Sequence, residues 1–138
     1  MSGGARVIVL GHVPPRRRIL LIDDSPLTLD LTSSVLTAAQ FDVRTSSDVG
    51  RLRELLGGWQ PDVILADVNM PGMTGPELCR ALKSTYETAH VPVVLFSVLP
   101  AHELAELARE CDADGYLSKA DLETLPGELT HLISTALF

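Results

Sequence analysis

The chain is short of cysteine, of positive charge and of long apolar runs, and each shortage removes a class of function. Cys79 and Cys111 are the only cysteines in 138 residues. They stand far apart and fit no metal-ligand or redox spacing, which leaves reduced, partly buried thiols and a cytoplasmic setting. Eighteen Asp and Glu against eleven Lys and Arg give a formal net charge of −7. That is the wrong sign for non-specific nucleic-acid binding, which needs a basic face to neutralise phosphates. No apolar stretch approaches the roughly 20 residues of a membrane span, so no membrane insertion is expected. Arg6-Val7-Ile8-Val9-Leu10 is too short for a signal peptide's apolar region and lacks a cleavage site. The four histidines, His12, His90, His102 and His131, are scattered, and none is assigned a metal or catalytic role. There are no internal repeats.

What is present suits one globular domain. Hydrophobic residues make up 46% and charged residues 21%, an ordinary balance, in a chain long enough to bury a core without disulfide or metal staples. Residues 1–17 read as an N-terminal extension, set off by Pro14-Pro15 and Arg16-Arg17-Arg18. Within it, residues 7–10 could add an edge strand, although a flexible tail is the expectation. Residues 18–138 read as the domain.

From there strand and helix alternate five times. A strand over 19–23 meets Ser25-Pro26, an N-cap and first-turn pair. The helix after it runs to about 39, with Leu27, Leu31, Val35 and Ala38 on one apolar face. A strand over 41–45 and a helix over 48–56, stopped by Gly57-Gly58, follow. Pro61 introduces a strand over 62–66. After the loop 67–73, Thr74-Gly75-Pro76-Glu77 forms a capping box that opens a third helix. Strand 91–96, helix 101–111 and strand 115–118 come next, and a last helix begins near Leu125-Pro126 and runs to about 137. This alternation predicts an α/β fold, a doubly wound parallel sheet of five strands with five helices on its two faces and right-handed crossovers.

The apolar runs end on chemistry. Ile19-Leu20-Leu21-Ile22 stops at Asp23-Asp24, and Val63-Ile64-Leu65-Ala66 stops at Asp67. Strand four delivers Ser97 and strand five Lys119. In open α/β sheets such groups converge at the carboxyl edge of the strands. Three carboxylates together call for a hard divalent cation, and Mg²⁺ takes few carboxylates plus water and phosphate oxygens. A lysine and a hydroxyl opposite them complete a cradle for phosphoryl oxygens. Phosphoryl transfer to an aspartate uses every member of the set.

These stretches, with Asp67-Val68-Asn69-Met70-Pro71-Gly72-Met73-Thr74-Gly75, Pro92-Val93-Val94-Leu95-Phe96-Ser97 and Gly115-Tyr116-Leu117-Ser118-Lys119, resemble the receiver domains of bacterial two-component response regulators. The similarity is to the stand-alone chemotaxis type and covers about residues 18–138. It implies the flavodoxin-like strand order 2-1-3-4-5. It implies Asp67 as phosphoacceptor, Mg²⁺ held by Asp24 directly, by Asp23 largely through water, by Asp67 and by the backbone carbonyl of Asn69, and Lys119 and Ser97 on the phosphoryl oxygens. Tyr116 would report the Ser97 contact to the outer face. The implied donor is a histidine kinase or phosphotransfer protein. The implied output is a downstream protein bound at helix four, strand five and helix five, where Leu104, Leu107, Ala108 and Cys111 are candidate contacts or core. With no effector domain in these residues, and no catalysis beyond its own phosphorylation chemistry, the chain is expected to signal by binding.

Three positions depart from the family's pattern. Ala120 follows Lys119 where proline is usual, so a trans or strained peptide is expected there, since a cis non-proline bond costs about 3–4 kcal/mol. Val98 follows Ser97 where a small residue is common, which predicts a narrowed entry and slow exchange of the phosphoryl group. Asp112 ends the fourth helix where glycine is frequent, in a left-handed conformation that Asp tolerates. Two other functions compete: a pseudo-receiver that binds partners without phosphate, and an aspartate-nucleophile phosphatase. The latter wants a second acid two residues after the nucleophile, where this chain has Asn69.

Overall fold

The central strands are set by three short runs that are apolar on both sides. Residues 19–22, 63–66 and 93–96 are almost wholly buried, as parallel strands covered on two faces must be. In this computed structural model, which describes residues 16–137, they belong to β1 (Arg18–Ile22), β3 (Val63–Asp67) and β4 (Val93–Ser97). β2 (Asp42–Ser46) and β5 (Gly115–Ser118) flank them, all parallel, in the order β2-β1-β3-β4-β5. Residues 7–10, expected in a tail or an edge strand, lie outside the described residues.

The period of two decides which helix meets which residue. Ile19, Leu21, Val63, Leu65, Val94 and Phe96 face α1 (Pro26–Ala38) and α5 (Leu125–Leu132). Leu20, Ile22, Ile64, Ala66, Val93 and Leu95 face α2 (Leu52–Leu56), α3 (Gly75–Ser84) and α4 (Ala101–Cys111). Burying each large side chain contributes about 1.5–3 kcal/mol against the entropy of ordering it. The capping box holds as expected: Thr74 Oγ1 accepts from Glu77 N–H at 3.2 Å, and Thr74 N–H donates to Glu77 Oε1 at 2.9 Å. Packing is tight at Gly75: a Cβ there would stand 3.1 Å from Cys111 Sγ, which would have to give by a few tenths of an ångström.

Three elements differ from the sequence expectation. The stripe Leu27, Leu31, Val35 and Ala38 is not the core face of α1: Leu27 is 68% and Leu31 50% exposed. Leu29, Thr32 and Leu36 are buried instead. The helix carries two apolar sides, and its rotation is set by its junction with β2, where Phe41 N–H bonds Leu36 O and Gln40 takes a left-handed turn. The second helix begins at Leu52 rather than 48, because Asp48 and Ser46 bond the local backbone (Gly50 N–H to Asp48 Oδ1, Ser46 Oγ to Asp48 O) and hold a turn. The last helix ends at Leu132 and continues as a π-helical turn, Ile133–Leu137. Cys79 and Cys111, distant in sequence, meet between α3 and α4, and burial pushes the Cys79 thiol up to about 12. Such thiols are inert packing groups. No helix among the described residues is long and apolar enough to cross a membrane.

Candidate functional site

The register of β1 on β3 pairs Ile22 with Ala66, so the residues that follow, Asp23 and Asp67, leave the sheet side by side. Both are buried, Asp23 to 1% and Asp67 to 4% exposure. Asp24, one residue further, is exposed at the mouth. One oxygen from each of the three carboxylates lies within 4.8 Å of the others.

Lys119 reaches in from the end of β5. Its Nζ sits 2.5 Å from Asp23 Oδ2 and 3.2 Å from Asp67 Oδ1, and its side chain is 15% exposed. The backbone of the same residue is anchored by its N–H to Ser97 O at 2.8 Å. Asp23 Oδ1 accepts from Ser25 N–H at 2.9 Å, and Asp67 Oδ1 accepts from Asn69 N–H at 3.2 Å. The contacts of Asp67 thus fall on Oδ1 and not on Oδ2.

One ammonium does not balance three carboxylates in a partly desolvated cleft. Burial raises the Asp67 carboxyl above its ordinary value, the nearby Lys119 charge opposes that rise, and the Asp23 charge adds to it. An all-oxygen donor set, with one member open to water, fits a small hard divalent cation that keeps part of its hydration.

The other expected residues are distributed unequally. Ser97 is buried at the same edge, its Oγ accepting from Leu99 N–H at 3.1 Å. Tyr116, 40% exposed, and Val98, 70% exposed, stand on the outer side, where both line a hollow of about 380 Å³ with Ala101, Leu104, Ala120 and Glu128. No cis peptide occurs among the described residues, so Lys119–Ala120 is trans, and Ala120 N–H donates to Ser118 Oγ at 3.0 Å. Asp112 takes the left-handed conformation expected, at φ 55°, with its side chain 3.2 Å from Lys83 Nζ. Of the candidate contacts on α4, Leu104, Ala108 and Cys111 are core and Leu107 packs against it. Sequence reasoning missed a recess of about 430 Å³ beside Asp24, walled by Val49, Met70, Pro71 and Met73. Its signal was the Met-Pro-Gly-Met run, whose apolar members a loop reading left without a place.

Known proteins are similar in the same terms. The family model described as Response regulator receiver domain matches residues 19–130. The response regulator PleD of Caulobacter vibrioides is 37% identical over 74% of this chain, and the gliding motility regulatory protein of Myxococcus xanthus 33% identical over 86%. The chain spans 22% and 15% of those two proteins' lengths. The structure of the chemotaxis response regulator CheY4 of Vibrio cholerae superposes with a TM-score of 0.72 at 28% identity, covering 86% of this chain and 99% of that one. With a sheet ordered 2-1-3-4-5 and a lysine set among aspartates at its carboxyl edge, the chain belongs to the response regulator receiver domain family, whose members are phosphorylation-dependent signalling modules and not enzymes in the usual sense.

Proposed function

We propose that Asp67 accepts a phosphoryl group from the phosphohistidine of a histidine kinase or phosphotransfer protein, and that the modified chain signals by changing a protein-binding surface. The observation that carries this reading is Lys119 shared between two buried carboxylates, 2.5 Å from Asp23 and 3.2 Å from Asp67. A lysine so placed opposes the effect of burial on the Asp67 carboxyl and is already within reach of an incoming phosphoryl oxygen.

In the transfer, the Asp67 carboxylate forms the new P–O bond while the P–N bond to the donor imidazole breaks, its electron pair staying on nitrogen. Asp23, Asp24, Asp67 and the carbonyl of Asn69 would hold Mg²⁺, which supplies positive charge against the phosphoryl oxygens when bound. Lys119 then exchanges its contact with the Asp67 carboxylate for the phosphoryl group. Ser97 gives up its loop bond to Leu99 N–H and donates its hydroxyl proton to a phosphoryl oxygen. Tyr116 follows, because it lies on β5 two residues before Ser118, the partner of Ser97, and the change reaches the surface of α4, β5 and α5. Residues 18–138 form the functional unit in this reading, and 1–17 an extension outside it. Two buried, unpaired thiols support a cytoplasmic location.

The test is labelling by acetyl phosphate. Mg²⁺-dependent incorporation that disappears in Asp67→Asn is expected; no incorporation in the native chain would leave the phosphate-independent binding module as the better reading. Val98 directly follows Ser97, and its branched side chain is proposed to slow donor entry and hydrolysis. Val98→Ala should shorten the lifetime of the phosphorylated protein, and an unchanged decay rate removes Val98 from that role.

A further inference from the structure

Nearly all of the net charge lies in the last part of the chain. Residues 98–138 carry eight Asp and Glu against Arg109 and Lys119, a net of −6, whereas residues 1–97 carry ten acids against nine Lys and Arg. Lys119 is turned inward onto Asp23 and Asp67 and does not offset the surface. All eight acids are exposed, on or beside α4, β5 and α5.

The same region holds a groove with a floor of small side chains. The hollow of about 380 Å³ that includes Ala101, Leu104 and Ala120 adjoins a second of about 640 Å³ that includes Ala105, Ala108 and Gly115, and Tyr116 lines both. Glu128 borders the first, and Asp112, Asp114 and Arg109 border the second, with Asp112 also 3.2 Å from Lys83 Nζ and Asp114 accepting from Val93 N–H. β5 ends the sheet here, with no strand on its outer side among the described residues. The groove therefore combines an apolar floor, an unpaired sheet edge and an acidic rim.

We propose that this groove binds a cationic amphipathic segment of a partner protein. The segment would set apolar side chains on the alanine floor and Lys or Arg against Glu128, Asp112 and Asp114. This rests on the reading of α4, β5 and α5 as the output surface, and it specifies the chemistry of the partner. Charge complementarity selects that occupant over the alternatives. A symmetric contact with a second copy would place the acidic rim against itself, and nucleic acid would be repelled. A cationic segment is steered in by the field and anchored by apolar contact, with a strong dependence on salt.

The experiment uses a synthetic Leu/Lys amphipathic helix and its Leu/Glu counterpart, titrated by fluorescence anisotropy. Both are measured against the untreated chain and against the chain loaded with beryllofluoride and Mg²⁺. The Leu/Lys peptide is expected to bind at least about tenfold more tightly than the Leu/Glu peptide, and to weaken about tenfold between about 50 and 500 mM NaCl. Asp112→Lys with Glu128→Lys should weaken it about tenfold, and Ala105→Trp, which fills the groove, should do likewise. Asp30→Lys with Glu54→Lys makes the same change of net charge away from the groove and should shift affinity less than about twofold. Equal loss in both charge-reversed pairs, equal binding of the two peptides, or dimerisation through this face overturns the proposal. Covalent phosphorylation of Asp67 by acetyl phosphate and Mg²⁺ is read separately on a phosphate-affinity gel. Failure of that step counts against the phosphorylation reading, while peptide selectivity on the untreated chain still decides the groove.

Discussion

The two ends of the sheet handle charge in opposite ways. At the amino ends of the strands, opposite charges are paired around one aromatic. Arg44 and Arg18 lie 4.9 and 5.7 Å from the centre of the Trp59 ring. Trp59 Nε1–H donates to Asp42 Oδ2, Arg44 donates to the carbonyls of Leu55 and Leu56 that end α2, and Arg18 N–H donates to Asp62. Each group has a complement there. At the carboxyl ends, three carboxylates crowd one lysine, two of them buried. The first arrangement stabilises the fold as it stands. The second stays unbalanced, and that imbalance is what a cation and a phosphoryl group can exploit.

The sharpest way to break the contrast is to remove the lysine. Lys119→Met leaves Asp23 and Asp67 buried together without a counter-charge, and about 3–5 kcal/mol of stability should be lost near neutral pH. Urea titrations should show part of that loss returned by Mg²⁺, and less of it at acid pH, where Asp67 takes up a proton. A variant as stable as the native chain in chelator would mean that the pair is solvated and not strained.

At the other end, Trp59→Ala should cost about 2–3 kcal/mol, from lost packing and two cation–π contacts. Thermal melting reads the cost, and acetyl phosphate labelling of the folded variant should match the native rate. Labelling that falls with stability would show that the two ends are coupled.

Asp67→Asn tests the sign of the electrostatics. The Asp67 carboxyl is raised in the folded chain by burial, so its ionised form opposes folding once pH exceeds its folded pKa. The asparagine variant should therefore be the more stable near neutrality without Mg²⁺. That advantage should shrink as pH falls through the folded pKa toward the ordinary carboxylate value. Mg²⁺ should stabilise the native chain by mass action and the variant much less, so denaturation curves with and without the cation would cross-check the assignment.

The smallest effect expected lies away from both ends. Thr32 is buried in α1 with its Oγ1 unpartnered, so Thr32→Val should raise stability by about 1 kcal/mol. A calorimetric melt that is unchanged or lower would place a bound water on that hydroxyl.

Most of the fold could be read from residue order because each signal was local. Apolar runs of four marked the buried strands, Thr74 with Glu77 marked a helix start, and α4 and β5 fell on their expected residues. α1 could not be oriented in that way. Both of its sides are apolar at helical spacing, and the choice of Leu29 and Leu36 over Leu27 and Leu31 depends on contacts with the sheet. The second helix was misjudged at its start because side chains of Ser46 and Asp48 compete locally for the backbone. The partners of the acidic pocket were legible too, since aspartates at the ends of buried runs have few other places to go.

Tertiary structure decided the rest. Asp23, Asp24 and Asp67 are acidic by sequence, but their unequal roles come from depth. Asp23 and Asp67 leave paired strands side by side and lose water, while Asp24 turns out to the mouth. Lys119 reaches both buried carboxylates only because β5 lies beside β4 in this sheet. The meeting of Cys79 with Cys111 and the groove between α4 and β5 arise from helices packed across long stretches of chain. Desolvation and proximity act in three dimensions, so sequence could name the charged groups but not which of them would be buried together.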